Sequence, residues 1–174
     1  MTQLDKLEAS LDEALNKKAP FKLPETSRKN LAEMLWIFSL IGGVLQLYLA
    51  WRLWDVWHSV GRFVEYLNSY AEIYGVDTGA NKLSFAFYLV LFTLLASGVL
   101  LLLATPNLKA LKKAGWNLVF YSLLLNLLYG VIVLFTDYGN LGNLFGAALG
   151  SFIGAYLLFQ VRDQFVRSHT SPKS

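Results

Sequence analysis

The sequence predicts an all-α membrane protein: a four-helix transmembrane bundle with an N-terminal amphipathic helix and an outer interfacial helix. Charged residues make up 16% of the chain and hydrophobic residues 55%, whereas soluble domains carry about 25% charged residues. A helix rises about 1.5 Å per residue, so about 18 to 20 residues cross the roughly 30 Å hydrocarbon core of a bilayer. Four segments of that length contain no Lys, Arg, Asp or Glu: residues 34–51, 85–104, 116–135 and 144–161.

The chain opens with a short amphipathic pattern, and residues 1–25 are predicted to form a cytoplasmic helix and a linker. Apolar residues recur at helical spacing between charged ones; they include Leu4, Leu7, Leu11 and Leu15. Two prolines then end the helix, at positions 20 and 24. The apolar stripe allows two interpretations. It docks on the inner leaflet or on another helix, or it belongs to a solvated helix that packs only locally.

A transmembrane domain is predicted over residues 26–162, with a cytoplasmic tail over residues 163–174. The first apolar segment follows a long polar stretch and precedes bulky, charged residues instead of a small-residue cleavage site. We therefore interpret it as a retained anchor and not as a cleaved signal peptide. Its helix is expected to continue past the hydrocarbon into an outer insertion, residues 52–84.

The start of that insertion has the pattern of a helix lying at a membrane surface. Over residues 52–70 an apolar face alternates with a polar face at helical spacing. The polar face holds the densest charged cluster of the chain: Arg52, Asp55, His58 and Arg62. This cluster is either a site for an anionic headgroup or polar ligand, or simply the wet face of an interfacial helix whose exposed salt bridges contribute little.

The remaining spans are separated by short connections. The second span is expected to end at Pro106, and the third to open at Gly115 after a short basic crossing. A Gly- and Asn-rich loop over residues 137–143 then predicts that the third and fourth spans form an antiparallel hairpin.

Basic residues sort between alternate connections and predict the orientation. All but three of the 15 Lys and Arg lie in the N-terminal segment, the middle connection and the tail. The exceptions, Arg52, Arg62 and Lys82, lie in the first loop. The positive-inside bias therefore predicts a multi-pass protein of the cell membrane with both termini in the cytoplasm. The net charge of +3 is then explained by anionic lipid, and we expect no nucleic-acid partner.

The last span carries a glycine zipper. Four glycines follow one another at a spacing of four: Gly142, Gly146, Gly150 and Gly154. Membrane helices associate through close backbone approach, which small residues permit. The row predicts a helix-packing face, either as the seam of a homo-oligomer or as a contact with another helix of the same chain.

Neutral polar residues interrupt the spans at three notable positions: Gln46, Ser122 and Asn126. Such residues commonly form hydrogen bonds between membrane helices. They also line solute paths in transporters. The sequence leaves both interpretations open, although the centre of each span lacks an acidic or basic residue, which argues against ion coupling.

No enzyme signature accompanies these features. The chain has no cysteine, which excludes disulfides, thiol catalysis and cysteine-ligated metals. It also lacks the glycine-rich phosphate loop and the paired-histidine metal motif. We therefore expect no enzyme, with no catalytic residue, no cofactor and no metal.

The segments GWNLVFYSLLLNLLYG (115–130) and GSFIGAYLLFQVR (150–162) resemble a family of small four-span bacterial integral membrane proteins. The resemblance covers the second half of the chain and implies a bacterial inner membrane. The family has no assigned activity, so the resemblance implies nothing catalytic.

These observations predict a non-enzymatic integral membrane protein that acts by helix association. It would serve as a small scaffold or as an accessory subunit of a membrane complex. Its partners would be the lipid bilayer and either further copies of itself or a larger membrane protein. The alternative is an oligomeric transporter or channel for a small solute.

Overall fold

The computed structural model describes residues 3–19, 21–75, 85–134 and 141–167, and all regular structure in these ranges is helical. A short helix α1 continues directly into a π-helical turn, and five further helices follow. Their bounds are α1 Gln3–Asp12, the π-helical turn Glu13–Lys17, α2 Glu25–Ile73, α3 Phe85–Lys109, α4 Lys113–Leu134, α5 Leu141–Gln160 and α6 Arg162–Arg167.

The all-helical prediction is confirmed, and three helices have the length and composition needed to cross a membrane. These are α2, α3 and α4. Helix α5 has 20 residues, and its apolar part with described side chains is Leu149–Gln160. Each of the four carries large apolar side chains that are more than half exposed; examples are Ile41, Phe92, Leu128 and Phe152.

Helix α2 joins the first predicted span and the predicted outer helix into one element. It has 49 residues, which corresponds to a length of about 73 Å. Helical structure continues without a break at Trp51 and Arg52, where the span was predicted to give way to the outer helix. Helical structure over residues 52–70 is confirmed, whereas its position at a membrane surface stays a prediction.

The turn between α3 and α4 differs from the sequence expectation. Helix α3 does not end at Pro106 but continues to Lys109, because the carbonyl of Pro106 still accepts a hydrogen bond from Ala110 N at 3.2 Å. Leu111 then adopts a left-handed conformation with φ 51°. Helix α4 already begins at Lys113, two residues before the predicted opening at Gly115.

The turn between α4 and α5 lies largely outside the described residues. Of the predicted loop over residues 137–143, the last three residues already belong to α5, which begins at Leu141.

The long helices pack in the order of the chain. Helix α2 packs along α3, α3 along α4, and α4 along α5. Extensive packing of α2 against α5, which would close a bundle, is not seen among the described residues. The closed four-helix bundle therefore stays a prediction, and the described helices form a row in which each contacts its neighbour.

A close backbone crossing joins α2 to α3 at two glycines. A Cβ added to Gly43 would lie 3.0 Å from the carbonyl oxygen of Gly98, and one added to Gly98 would lie 3.2 Å from that of Gly43. Nearby, the hydroxyl of Ser39 donates to the carbonyl of Leu101 at 2.7 Å. Because glycine has no side chain, the two backbones can approach closely at this crossing, as is typical of membrane helix pairs.

Candidate functional site

Four helix ends meet at one end of the row, which we call the basic end. Here α2 begins, α3 ends, α4 begins and α5 ends, because successive helices run in opposite directions. The guanidinium Nη1 of Arg28, at the start of α2, lies 3.9 Å from the carboxylate of Asp163, just after α5. The backbone N–H of Leu23 donates to Oε1 of Gln160 at 3.4 Å.

The described core is concentrated at the basic end and is centred on Trp116. This side chain is fully buried, and its indole N–H donates to the carbonyl of Leu158 at 2.9 Å. Its ring stacks on Phe120 with a centroid distance of 5.4 Å and meets the edge of Phe159 at 5.2 Å. The start of α4 is thereby fixed against the end of α5.

A charged cluster lies directly beside this aromatic core. The guanidinium of Arg162 is 5.7 Å from the ring centroid of Trp116 and donates to one carboxylate oxygen of Glu8 through Nη2 at 2.6 Å and Nε at 3.0 Å. The ammonium of Lys113 is 3.3 Å from the same oxygen. Arg162 Nη1 is also 3.5 Å from the carboxylate of Asp12. Two carboxylates of α1 thus neutralise two cations of the helix row.

The rest of the N-terminal segment is attached to the same end by polar contacts. The side-chain amide of Gln160 donates to the carbonyl of Leu15 at 3.0 Å, and Tyr156 donates its hydroxyl proton to the carbonyl of Phe21. Asn16, within the π-helical turn, is buried and donates to Asp12 at 3.1 Å. The N-terminal helix therefore lies on its own chain, with its acidic side inward.

This orientation bears on the two interpretations of the apolar stripe. Leu11 and Leu15 pack against the core at the basic end, whereas Leu4 and Leu7 remain 47% and 40% exposed. The helix therefore packs locally, as the second interpretation held, but it is far from fully solvated. Its buried Glu8 and Asp12 form the ion pairs with Arg162 and Lys113 that attach the helix to the basic end.

The polar residues predicted within the spans are only partly brought together. Ser122 and Asn126 form a network with Ser97 of α3, whose hydroxyl was not predicted to join them. The two serine hydroxyls are 2.5 Å apart, and Asn126 Nδ2 donates to Ser97 Oγ at 2.8 Å. This network joins α3 to α4. Gln46 lies on α2, where its Oε1 is buried and has no hydrogen-bond partner among the described residues.

The glycine row lies on α5, and the surroundings of its last two members are described. No described atom lies within 4 Å of a Cβ built on Gly150, and the nearest to one on Gly154 is Leu123 Cδ1 at 3.7 Å. The surroundings of Gly142 and Gly146 fall outside the described side chains. Among the described glycines, close backbone approach occurs instead at the α2–α3 crossing and at Gly115 beside the end of α3.

The outer polar cluster forms contacts within its own helix. Arg52 Nη1 is 3.4 Å from the carboxylate of Asp55, Arg62 Nε donates to the carbonyl of His58 at 3.3 Å, and the ring of His58 lies 4.8 Å from that of Trp54. The four predicted cluster residues therefore share one exposed stripe of α2. No described side chain of another helix is recorded in hydrogen-bond or ion-pair contact with them.

Sequence reasoning missed Glu8, Asp12 and Arg162. A usable signal existed, because Glu8 and Asp12 are four residues apart and so lie on one side of a helix. The sequence does not reveal that this side faces Arg162, which lies 150 residues after Asp12 and 154 after Glu8.

The fold and site together define an all-helical protein with three helices long and apolar enough to cross a membrane and a partly buried charged cluster where the helix ends meet. No protein-family model, no curated protein and no solved structure matches the chain.

Proposed function

We propose that this chain is an integral membrane protein of four crossings that acts by helix association, as a scaffold or accessory subunit of a membrane complex. Helices α2 to α5 alternate in direction, so the start of α2 and the end of α5 lie at the same end of the row. This arrangement supports an even number of membrane crossings. The basic residues of that side favour its location on the cytoplasmic side of a cell membrane. The resemblance of the second half of the chain favours a bacterial inner membrane.

The face of α5 that carries Gly150 is the observation on which the association depends. Among the described residues, α4 is the one long helix along which α5 packs extensively; α5 also contacts the π-helical turn and α6. On this helix the space beside Gly150 is open, and the flanking Leu149 and Ile153 are exposed. A partner helix could approach the backbone of α5 closely at this point. The resulting van der Waals contacts between the two helices would favour their association in the bilayer.

Replacing Gly150 with leucine is expected to abolish association without unfolding the chain. A Cβ at this position has no described atom of the chain within 4 Å, and the rest of the leucine side chain would keep a partner helix away. The native mass of the protein in mild detergent, and the proteins that copurify with it, should therefore change in Gly150→Leu. Gly130→Leu is the matched control. A Cβ built on Gly130 of α4 also has no described atom within 4 Å, but Gly130 does not belong to the glycine zipper of α5.

If Gly150→Leu retains the mass and companions of the wild type, the glycine face is not an association site. A change of equal size in Gly130→Leu would have the same meaning, because the effect would then follow from any bulky residue on the lipid-facing surface.

The second candidate is an oligomeric transporter or channel, and the buried oxygen of Gln46 favours it. A polar atom without a partner is costly at membrane depth, and a passing polar solute or water would satisfy it. Gln46, Ser122 and Asn126 would then line the path.

If the protein is a transporter, we expect solute flux across the membrane of proteoliposomes. This flux should decrease several-fold in Gln46→Leu and in Asn126→Leu. Ser39→Ala is the control, since Ser39 hydrogen-bonds only across the α2–α3 contact. Vesicles with wild-type protein that are as tight as empty ones across a panel of small solutes would exclude this candidate.

A further inference from the structure

The cluster at the basic end is held together by charge: its carboxylates come from the N-terminal helix α1 and its cations from α4 and α6. The side chains of Glu8, Asp12 and Arg162 are 12%, 8% and 19% exposed. The residues between α1 and α2 are not helical at positions 18, 19 and 21–24. A non-helical connection permits the N-terminal helix to leave the basic end without disturbing α2.

Departure of that helix would leave cations without counter-charges. Arg162 would keep its position over the ring of Trp116, and Lys113 would lose its carboxylate partner. Nearby, Arg28 Nε is already buried and has no acceptor among the described residues. Cations in a partly buried site are strongly destabilising unless an anion replaces the lost one.

The chemistry of these side chains identifies a suitable anion. An arginine guanidinium binds a phosphate through two parallel hydrogen bonds, and a lysine adds a point charge. In the proposed orientation the basic end lies at the depth of the inner headgroups. At this end the ammonium of Lys109 lies 5.2 Å from the ring centroid of Trp36. A lysine beside a tryptophan is typical of a membrane–water interface. Anionic lipids supply phosphate at this depth.

We propose that Arg162 and Lys113 form a binding site for the phosphate of an anionic lipid headgroup, which Glu8 and Asp12 occupy as an internal competitor in the form described. Binding of the lipid releases the N-terminal helix. Its exposed Leu4 and Leu7 then have the bilayer interface as an apolar surface on which to dock. The inference rests on the proposed orientation of the chain but not on association through α5.

Distance measurements between spin labels test the release directly, and the absence of native cysteines makes the labelling specific. Ser10→Cys on α1 and Val166→Cys on α6 are exposed positions. In nanodiscs of phosphatidylcholine we expect one short distance. Nanodiscs that also contain phosphatidylglycerol should add a second, longer distance at the same ionic strength. Inorganic phosphate added to phosphatidylcholine nanodiscs should not.

Each alternative result overturns part or all of the proposal. An unchanged distance in both lipids would show that the headgroup does not displace the helix. Release by inorganic phosphate alone would show that the ligand is a free phosphate and not a lipid.

Charge-neutralising variants separate this mechanism from a general effect of the membrane. Glu8→Gln with Asp12→Asn should give the longer distance in phosphatidylcholine alone. Glu13→Gln should not, since Glu13 pairs with Lys18 at 2.6 Å on the exposed surface. A released helix in Glu13→Gln, or a docked one in the double variant, would contradict the competitor role.

Retention of the lipid itself provides an independent readout. The Glu8→Gln, Asp12→Asn protein purified in detergent should retain several-fold more phosphatidylglycerol than the wild type. Adding Lys113→Gln should remove this gain, whereas Lys112→Gln, at an exposed position of the same turn, should leave it. Equal retention in all variants would refute the site, and it would leave the test of Gly150 unaffected.

Discussion

Replacing Trp116 with alanine is expected to lower the free energy of unfolding by about 3–5 kcal/mol, the range measured for large aromatic residues in protein cores. Trp116 is fully buried among Phe120, Phe159 and the end of α3. The substitution removes two ring contacts and the hydrogen bond to Leu158. It also removes the surface beneath the guanidinium of Arg162. We therefore expect the N-terminal helix to detach at lower denaturant concentrations than the remaining helices.

Unfolding by SDS in mixed micelles, followed by far-ultraviolet circular dichroism, measures the effect. Trp51→Ala is the matched control, because Trp51 on α2 is 60% exposed. The exposed substitution should change the stability by about 0.5 kcal/mol or less. If both variants lose the same stability, Trp116 is not the centre of the packed core.

A single methyl group added at Gly115 should have a comparable effect. A Cβ at this position would lie 2.6 Å from the backbone nitrogen of Leu108 and 2.8 Å from the carbonyl carbon of Asn107. Backbone atoms of a helix end cannot rotate away as a flexible side chain can. Overpacking typically costs about 1–3 kcal/mol, and we expect Gly115→Ala to fall at the upper end of that range.

In the control variant the free energy of unfolding is expected to change in the opposite direction. Gly130 lies on the same helix and has open space around it, so Gly130→Ala should raise the stability by up to about 1 kcal/mol through helix propensity. The same SDS titration compares the two variants. A neutral or stabilising Gly115→Ala would mean that the α3–α4 turn is looser than described.

Much of the helix content followed from the sequence because it depends on local composition. Long apolar stretches must satisfy their backbone hydrogen bonds internally when water is absent, and a helix does this within one segment. The prediction was poorer at helix ends. Pro106 was expected to end α3, but a proline whose carbonyl still accepts a hydrogen bond allows another turn.

The polar residues within the spans illustrate the same division. Ser122 and Asn126 were identified because polar side chains are rare in apolar segments. Their partner Ser97 was not, since only the register of α3 against α4 brings its hydroxyl to 2.5 Å from that of Ser122. The glycines behave similarly. The regular row on α5 was visible in the sequence, whereas the pairing of Gly43 with Gly98 depends on the register of α2 against α3.

The sequence by itself determined that this chain is helical, apolar over membrane-spanning lengths and basic at alternate connections, because each property is a matter of neighbouring residues. Only the tertiary structure decided which side of the N-terminal helix faces inward. That choice depends on Arg162 and Lys113, with which Glu8 pairs once the helix ends meet. Charge pairs between distant segments have no local signature, so they emerge only when the backbone is folded.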